Sequence, residues 1–213
     1  MEANMRSWLG RLALCTFTVL LYAGLGSAAD LKAGKKAYEQ KDYATAFKEL
    51  TPLAEQGNAE AEVLLGNMYL MGRGVLKDPD RAVKLFHASA DQGNSDAEFF
   101  LGSIYLLPHT DIAQGLKWLR LSADQGNQDA QLLLGKTYLE GLEGLPADPV
   151  QADMWLRLAA DHNLPFYQNE LRVAERQMNA TQIAKGKALA EAWQPKRGLR
   201  PDEKLETGGK AGS

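Results

Sequence analysis

Cysteine is almost missing from these 213 residues, and the single one, Cys15, lies inside an apolar run near the N-terminus. One cysteine denies the chain an internal disulfide and a cysteine-ligated metal site. Histidine is scarce as well: His87, His109 and His162 are the three present. No two of them stand four residues apart and no H-E-x-x-H occurs, so no helix offers a zinc-binding pair. Positive charge is not in excess, with 24 Lys and Arg against 27 Asp and Glu and a net charge of −3. Nucleic-acid binders usually carry a basic domain with Lys and Arg gathered on one face, and this balance offers none. The motifs G-x-S-x-G, S-x-x-K and G-x-x-x-x-G-K-[ST] are also missing, which removes the common nucleophile elbows and phosphate loops. Thr45 and Lys48 form a T-x-x-K without supporting residues. Carboxylate pairs such as Glu60 and Glu62 are what any acidic helical protein shows, and alone they assign no acid–base chemistry. No cofactor motif is left.

The apolar run containing Cys15 reads as a secretory leader. Arg6 and Arg11 supply a basic start, Leu12 to Leu25 an apolar core, and Ser27 and Ala29 the small residues a signal peptidase checks. Cleavage is expected after Ala29, giving a leader at 1–29 and a periplasmic or secreted chain that begins at Asp30. The core falls short of the ~20 apolar residues of a spanning helix, so no membrane span is expected after cleavage. Leu14 before Cys15 does not suit a lipoprotein cut. Met5 is an alternative start to Met1. Loss of Glu2, Arg6 and Arg11 with the leader takes the net charge from −3 to −4 and removes the last thiol.

What is abundant is repetition. AEQGN ends at Asn58, ADQGN at Asn94 and again at Asn127, and ADHN occupies 160–163. Ala54, Ala90, Ala123 and Ala160 are separated by 36, 33 and 37 residues. The same steps relate Asp42, Asp78, Asp111 and Asp148, and also Ala46, Ala82, Gly115 and Ala152. Steps of 36 and 33 relate Ala61, Ala97 and Ala130; Leu65-Gly66, Leu101-Gly102 and Leu134-Gly135; and Tyr69, Tyr105 and Tyr138. Periods of this length mark stacked repeats. Each unit resolves into two helices. Helix A, typified by 61–70, keeps a glycine that would cost a lone helix about 1 kcal/mol, so a neighbouring helix must approach it closely. Helix B starts at the capping aspartates, with Pro79 and Pro149 at the first helical position. It ends at Gly57, Gly93 and Gly126, with Asn163 in the fourth copy, where a left-handed residue closes the helix. The aspartate series, one per repeat, is explained by capping and needs no calcium. Trp118 and Trp155 fill the space between repeats. His87 shares its helix B column with Arg120 and Arg157 and is expected on a solvated outer stripe.

The pattern A-x-x-x-L-G-x-x-Y, G-x-G-V-x-x-D, A-x-x-W-x-x-x-A-A-x-x-G resembles the Sel-one-like repeat, a short-unit relative of the tetratricopeptide repeat. Residues 61–93 match almost throughout, including Gly72-Arg73-Gly74-Val75 and Asp78. The unit at 97–126 has a shortened loop at 107–111, and the unit at 130–163 keeps Trp155 and Ala159-Ala160. Gly34, Tyr43 and Ala46 make the first unit closer to a tetratricopeptide. The resemblance covers about 31–193. It implies an all-α, right-handed α-solenoid of helix–turn–helix repeats with a C-terminal capping helix. The organisation read from it is a first repeat at 30–58, repeats at 59–94, 95–127 and 128–164, capping helices at 165–193 and a disordered tail at 194–213.

Members of that family are mostly adaptors in protein complexes, and exported bacterial members are associated with envelope assembly, secretion or host contact. The resemblance therefore implies a non-enzymatic scaffold for a protein or peptide partner in the cell envelope. Carried over by register, the concave wall comprises Val63, Asn67 and Leu70; Phe99, Ser103 and Leu106; and Leu132, Lys136 and Leu139. Asn67, Ser103 and Lys136 are expected to point into a groove. Phe99 and Leu132 fit a groove or the core between helices equally. Two alternatives stand beside this reading. One is a cell-wall or β-lactam hydrolase, because some secreted relatives are linked to such activity, although those are rich in cysteine. The other is a self-associating assembly subunit.

Overall fold

In a computed structural model of the chain, residues 31–107, 110–142, 144–161 and 164–196 are described. The expected leader at 1–29, His109, His162, Asn163 and the tail from 197 lie outside the described residues. The described chain is helical throughout, apart from an isolated bridge between Leu142 and Leu145. The described residues divide into two compact units, one up to Leu85 and the other from Phe86 onwards.

The first unit contains α1 (31–39), α2 (Tyr43–Glu55), α3 (Ala59–Met71) and the start of α4 (Pro79–Ala90). Asp42 caps α2 through Thr45 N–H, at 3.2 Å, and the Thr45 hydroxyl, aided by that backbone bond, holds the Asp42 carboxyl below its ordinary range. Asp78 caps α4 through Arg81 N–H at 2.9 Å. Gly57 closes α2 at φ 80°, and Gly72 and Gly74 turn the loop after α3 at φ 67° and 72°. Gly74 cannot be exchanged: a Cβ there would lie 2.6 Å from Tyr43 Cβ and 3.1 Å from its carbonyl carbon. The turn of the Gly72-Arg73-Gly74-Val75 motif thus lies against the start of α2.

The second unit holds the end of α4 followed by α5 (Ser95–Tyr105), α6 (Ile112–Asp124), α7 (Gln128–Glu140), α8 (Pro149–Ala160), α9 (Pro165–Glu175) and α10 (Ala180–Ala192). Asp111 and Asp148 again cap helices, α6 and α8. The asparagine of each Q-G-N triplet caps the following helix A: Asn94 bonds Ala97 N–H and Asn127 bonds Ala130 N–H. Helix exit and helix entry are thereby encoded in adjacent residues, Gly126 at φ 93° and then Asn127. The core joins Leu119, Ala123, Ala130, Leu134, Met154 and Trp155, with Phe99, Leu106, Tyr138 and Trp193 packed against it. α9 follows α8 at the helix A position and α10 packs on α8. The chain does not leave the fold at 193, because Lys196 N–H donates to the Asp124 carbonyl at 2.7 Å.

The helix A glycines mark the close approaches that their recurrence predicts. A Cβ on Gly102 would lie 2.6 Å from Leu119 Cγ and 2.9 Å from Leu119 N. On Gly135 it would lie 2.7 Å from Leu156 Cγ and 3.0 Å from Leu156 N. Alanine at 135 gains about 1 kcal/mol of helix propensity, but backbone cannot rotate away as a side-chain tip can. Gly135→Ala is therefore expected to destabilise the chain by about 1–2 kcal/mol net, read as a lower midpoint in urea unfolding. A raised midpoint would mean that α7 and α8 have room to separate.

Candidate functional site

The predicted wall residues lie at i, i+4 and i+7 on successive A helices, a spacing that puts them on one face of each helix. In the first unit, Val63 and Asn67 are buried and Leu70 is half-buried. The Asn67 Oδ1 does not point into open space: it accepts from Tyr38 Oη at 2.6 Å and from Arg73 Nη1 at 3.2 Å. Arg73 Nη1 also donates to Tyr38 Oη at 2.9 Å, and its guanidinium lies 5.9 Å from the Tyr43 ring centre. Tyr38 and Tyr43 meet edge to face at 5.8 Å. Lys35 pairs with Glu60, so α1 and α3 are joined along this face at two points.

In the second unit, Phe99, Ser103, Leu106, Leu132 and Leu139 are all half-buried, and Lys136 is exposed. Phe99 and Leu106 rest partly on the core, whereas Leu132 is not among the residues packed against that cluster. Ser103 Oγ donates to the Phe99 carbonyl one turn back, at 2.8 Å. Lys136 reaches across to Glu170 of α9 at 2.6 Å. Tyr167 of α9 donates to Asp129 of α7 at 2.6 Å, and Asn127 before α7 donates to Asp96 of α5 at 2.8 Å. Burial and the neighbouring Asp129 push the Tyr167 hydroxyl up to about 12. Polar bridges thus fix the spacing of α5, α7 and α9 while the apolar side chains between them stay partly open.

The register also extends to α9, where 37 residues beyond Lys136 stands Val173, 44% exposed, with Phe166 one helical face-repeat earlier at 58%. Neither was among the predicted residues, and extending the step of 37 past Asn163 would have found Val173. The helix B side chains His87, Arg120 and Arg157 behave differently from the solvated stripe expected of them. His87 Nε2 lies 3.2 Å from Tyr105 Oη, with its ring edge-on to Trp118. Arg120 donates to Tyr138 Oη at 2.8 Å and lies 4.9 Å from the Trp155 ring centre. Arg157 binds Asp153 and Glu175. All three are half-buried joints between repeats, since each side chain meets the Tyr column, or Glu175 in its place, of the next helix A.

Glu98 is fully buried and its carboxyl is pushed up to about 8 by burial, with Gln125 opposing through a bond of 2.7 Å. Sealed from solvent, it has no route to a substrate. Among the described residues, no three His, Cys, Asp or Glu side chains converge on a metal-sized site, and no helix is long and apolar enough to cross a membrane.

A family model described as Sel1 repeat matches residues 59–94, 95–127 and 128–164. No curated protein shows significant similarity to the chain. Among solved structures the chain resembles a Sel1 repeat protein from Oxalobacter formigenes at 25% identity and a TM-score of 0.63, over 76% of this chain and 68% of that one. It also resembles c5321, a protective antigen present in uropathogenic Escherichia coli strains and displaying an SLR fold, at 30% identity and a TM-score of 0.60. That likeness covers 70% of this chain and 33% of the antigen, so the chain spans about a third of that protein's length. Sel1 repeat proteins generally serve as protein–protein interaction scaffolds and are typically not enzymes. Three such repeats in series, on an all-α repeat fold shared with solved Sel1 proteins, place this chain in the Sel1 repeat family.

Proposed function

We propose that this chain is an exported scaffold, periplasmic or secreted, that holds an extended segment of an envelope protein on its helix A wall. The observation that carries the reading is the half-open apolar row of the second unit. Leu132 and Leu139 on α7 and Val173 on α9 stay accessible although Lys136–Glu170 and Asp129–Tyr167 fix the two helices beside each other. A folded protein keeps such a row open at a cost, and rows of accessible apolar groups on a rigid wall favour peptide docking. The basic side chains of helix B, in contrast, are engaged by aromatic residues (His87, Arg120) or by carboxylates (Arg157) and offer little. The expected leader at 1–29 supports export, which suits a chain without a thiol after Ala29.

The test is photo-crosslinking in bacterial cells that export the full chain. A benzoylphenylalanine at position 132 or 139 is expected to give discrete adducts. The same group at Lys117 or Leu189, exposed on α6 and α10, should give none. Equal labelling at all four positions, or none at 132 and 139, removes the helix A wall as the docking face. Mass spectrometry of the periplasmic fraction checks export: the mature protein should begin at Asp30.

A further inference from the structure

The first unit carries a polar cluster whose remaining hydrogen-bonding capacity is entirely of one kind. Tyr38 Oη spends its proton on Asn67 Oδ1 and accepts from Arg73. Asn67 Oδ1 takes both the tyrosine proton and a second bond from Arg73. The asparagine cannot be turned over, because its NH2 would then face the guanidinium. What is left unused among the described residues is Arg73 Nε and Nη2 and the Asn67 amide N–H groups. All of these are donors, and they carry one full positive charge.

Among the described residues no carboxylate lies within ion-pair distance of Arg73; its neighbours are two tyrosines and an amide. A half-buried guanidinium with only neutral acceptors on one nitrogen is short of the partner its planar fork matches best, a carboxylate. The surrounding charge agrees in sign. α1 offers Lys32 and Lys36 against Glu39, while Lys35 is already paired with Glu60. Leu70, half-buried one turn beyond Asn67, adds apolar contact for whatever carries the anion.

We propose that Arg73 and Asn67, oriented by Tyr38, form a carboxylate-binding site on the first unit, which takes either the free C-terminus or an acidic side chain of a docked peptide. This rests on helix A faces being the docking faces, and within the first unit it assigns the chemistry of the group held there. The backbone turn at Gly74, pressed on Tyr43, holds Arg73 in place from the other side.

The test uses the full chain, with the Arg73 Nε–H and Asn67 side-chain amide resonances followed by nitrogen-edited NMR. The probes are N-acetyl-leucine, which carries a terminal carboxylate, and the α-amide of N-acetylglutamate, which carries a side-chain one. N-acetyl-leucinamide is the neutral control. Both carboxylates are expected to shift the two resonances with dissociation constants on the order of 1 mM, and the stronger of them identifies the source. The control should leave the resonances where they are. Arg73→Gln is expected to weaken binding roughly tenfold or more.

Because Arg73→Gln also removes contacts to Tyr38, a second variant decides independently of folding. Asn67→Asp keeps the acceptor for Tyr38 and hands Arg73 an internal carboxylate. It should shift the Arg73 Nε resonance without any probe and abolish probe binding. Equal shifts with the neutral control, or an Asn67→Asp chain that binds the probes as the parent does, overturns the site. Crosslinks lost at 132 and 139 with probe binding intact would remove the proposed docking face and leave the carboxylate site standing. The reverse pattern removes the carboxylate site alone.

Discussion

Replacing Arg157 with methionine is expected to cost the chain about 3–5 kcal/mol, because it strands a buried carboxylate. Asp153 is fully buried on α8. It is held by Arg157 Nη2 at 3.0 Å and Nε at 3.2 Å, while the same Nη2 donates to Glu175 of α9 at 2.7 Å. α10 packs closely on the carboxylate from the other side: a Cβ on Gly186 would lie 2.5 Å from Asp153 Oδ2 and 2.6 Å from its Cβ, so no larger residue fits there. In a chain of this size the loss corresponds to a fall in melting temperature of roughly 10 °C, read by circular dichroism at pH 7. Burial already pushes the Asp153 carboxyl above its ordinary value, with Arg157 pulling it down and Glu175 pushing it up. Without Arg157 the neutral acid is favoured further. A raised folded-state value means that stability is fully present below the unfolded value and is lost as pH rises through the folded one. The deficit of Arg157→Met should therefore shrink on acidification towards pH 4. Asp153→Asn added to Arg157→Met should restore most of the loss at neutral pH. A deficit below about 1 kcal/mol that ignores pH would mean that the pair is hydrated and behaves as a surface ion pair.

The same joint shows why the repeat was legible and its chemistry less so. Columns of Ala, Gly, Leu, Tyr and Asp repeat because each is fixed by a local need, such as a cap, a left-handed turn or a close helix crossing. Those needs can be read one residue at a time, and Asp111, Asp148, Gly102 and Gly135 act as the spacing implies. Side-chain direction is a different matter. Arg120 and Arg157 look like members of a solvated stripe, since polarity alone cannot show that a Trp or an Asp waits on the neighbouring helix. Asn67 stands in a column with Ser103 and Lys136, yet it is bound to Tyr38, a residue 29 positions earlier that only the fold brings near. Ser103 turns back on its own helix and Lys136 forward to Glu170. One column thus holds three unlike environments, because the pairing partners come from the irregular ends of the array, where the repeat no longer applies. The capping role of Asn94 and Asn127 was readable from Q-G-N followed by a helical run, as a helix-entry residue placed directly after a helix-exit glycine.

Glu98 is where a column carries one chemical type too many. Its positions across repeats are Glu62, Glu98 and Gln131, all buried, and at the third the chain itself uses the uncharged amide. Gln131 donates to the Ala123 carbonyl at 3.1 Å. Glu98 instead receives one bond from Gln125, and its Oε1 has no partner among the described residues. With its carboxyl pushed up to about 8 by burial, it is mainly the neutral acid at pH 7. The unfolded chain ionises it near 4.5. The stability it contributes is thus complete below 4.5 and is lost as pH rises to about 8, at about 1.4 kcal/mol per pH unit through that window. Glu98→Gln cannot ionise, so urea unfolding at pH 5, 6, 7, 8 and 9 should show the variant gaining on the parent up to pH 8 and level beyond it. The total divergence is expected at about 3–5 kcal/mol. Other titrating groups are common to both chains and cancel in the difference. A difference that stays constant from pH 5 to 9 would place water or a cation at Oε1. Divergence would instead show that α5 keeps an acid at a position where its neighbour α7 has an amide, and that the second unit weakens as pH rises.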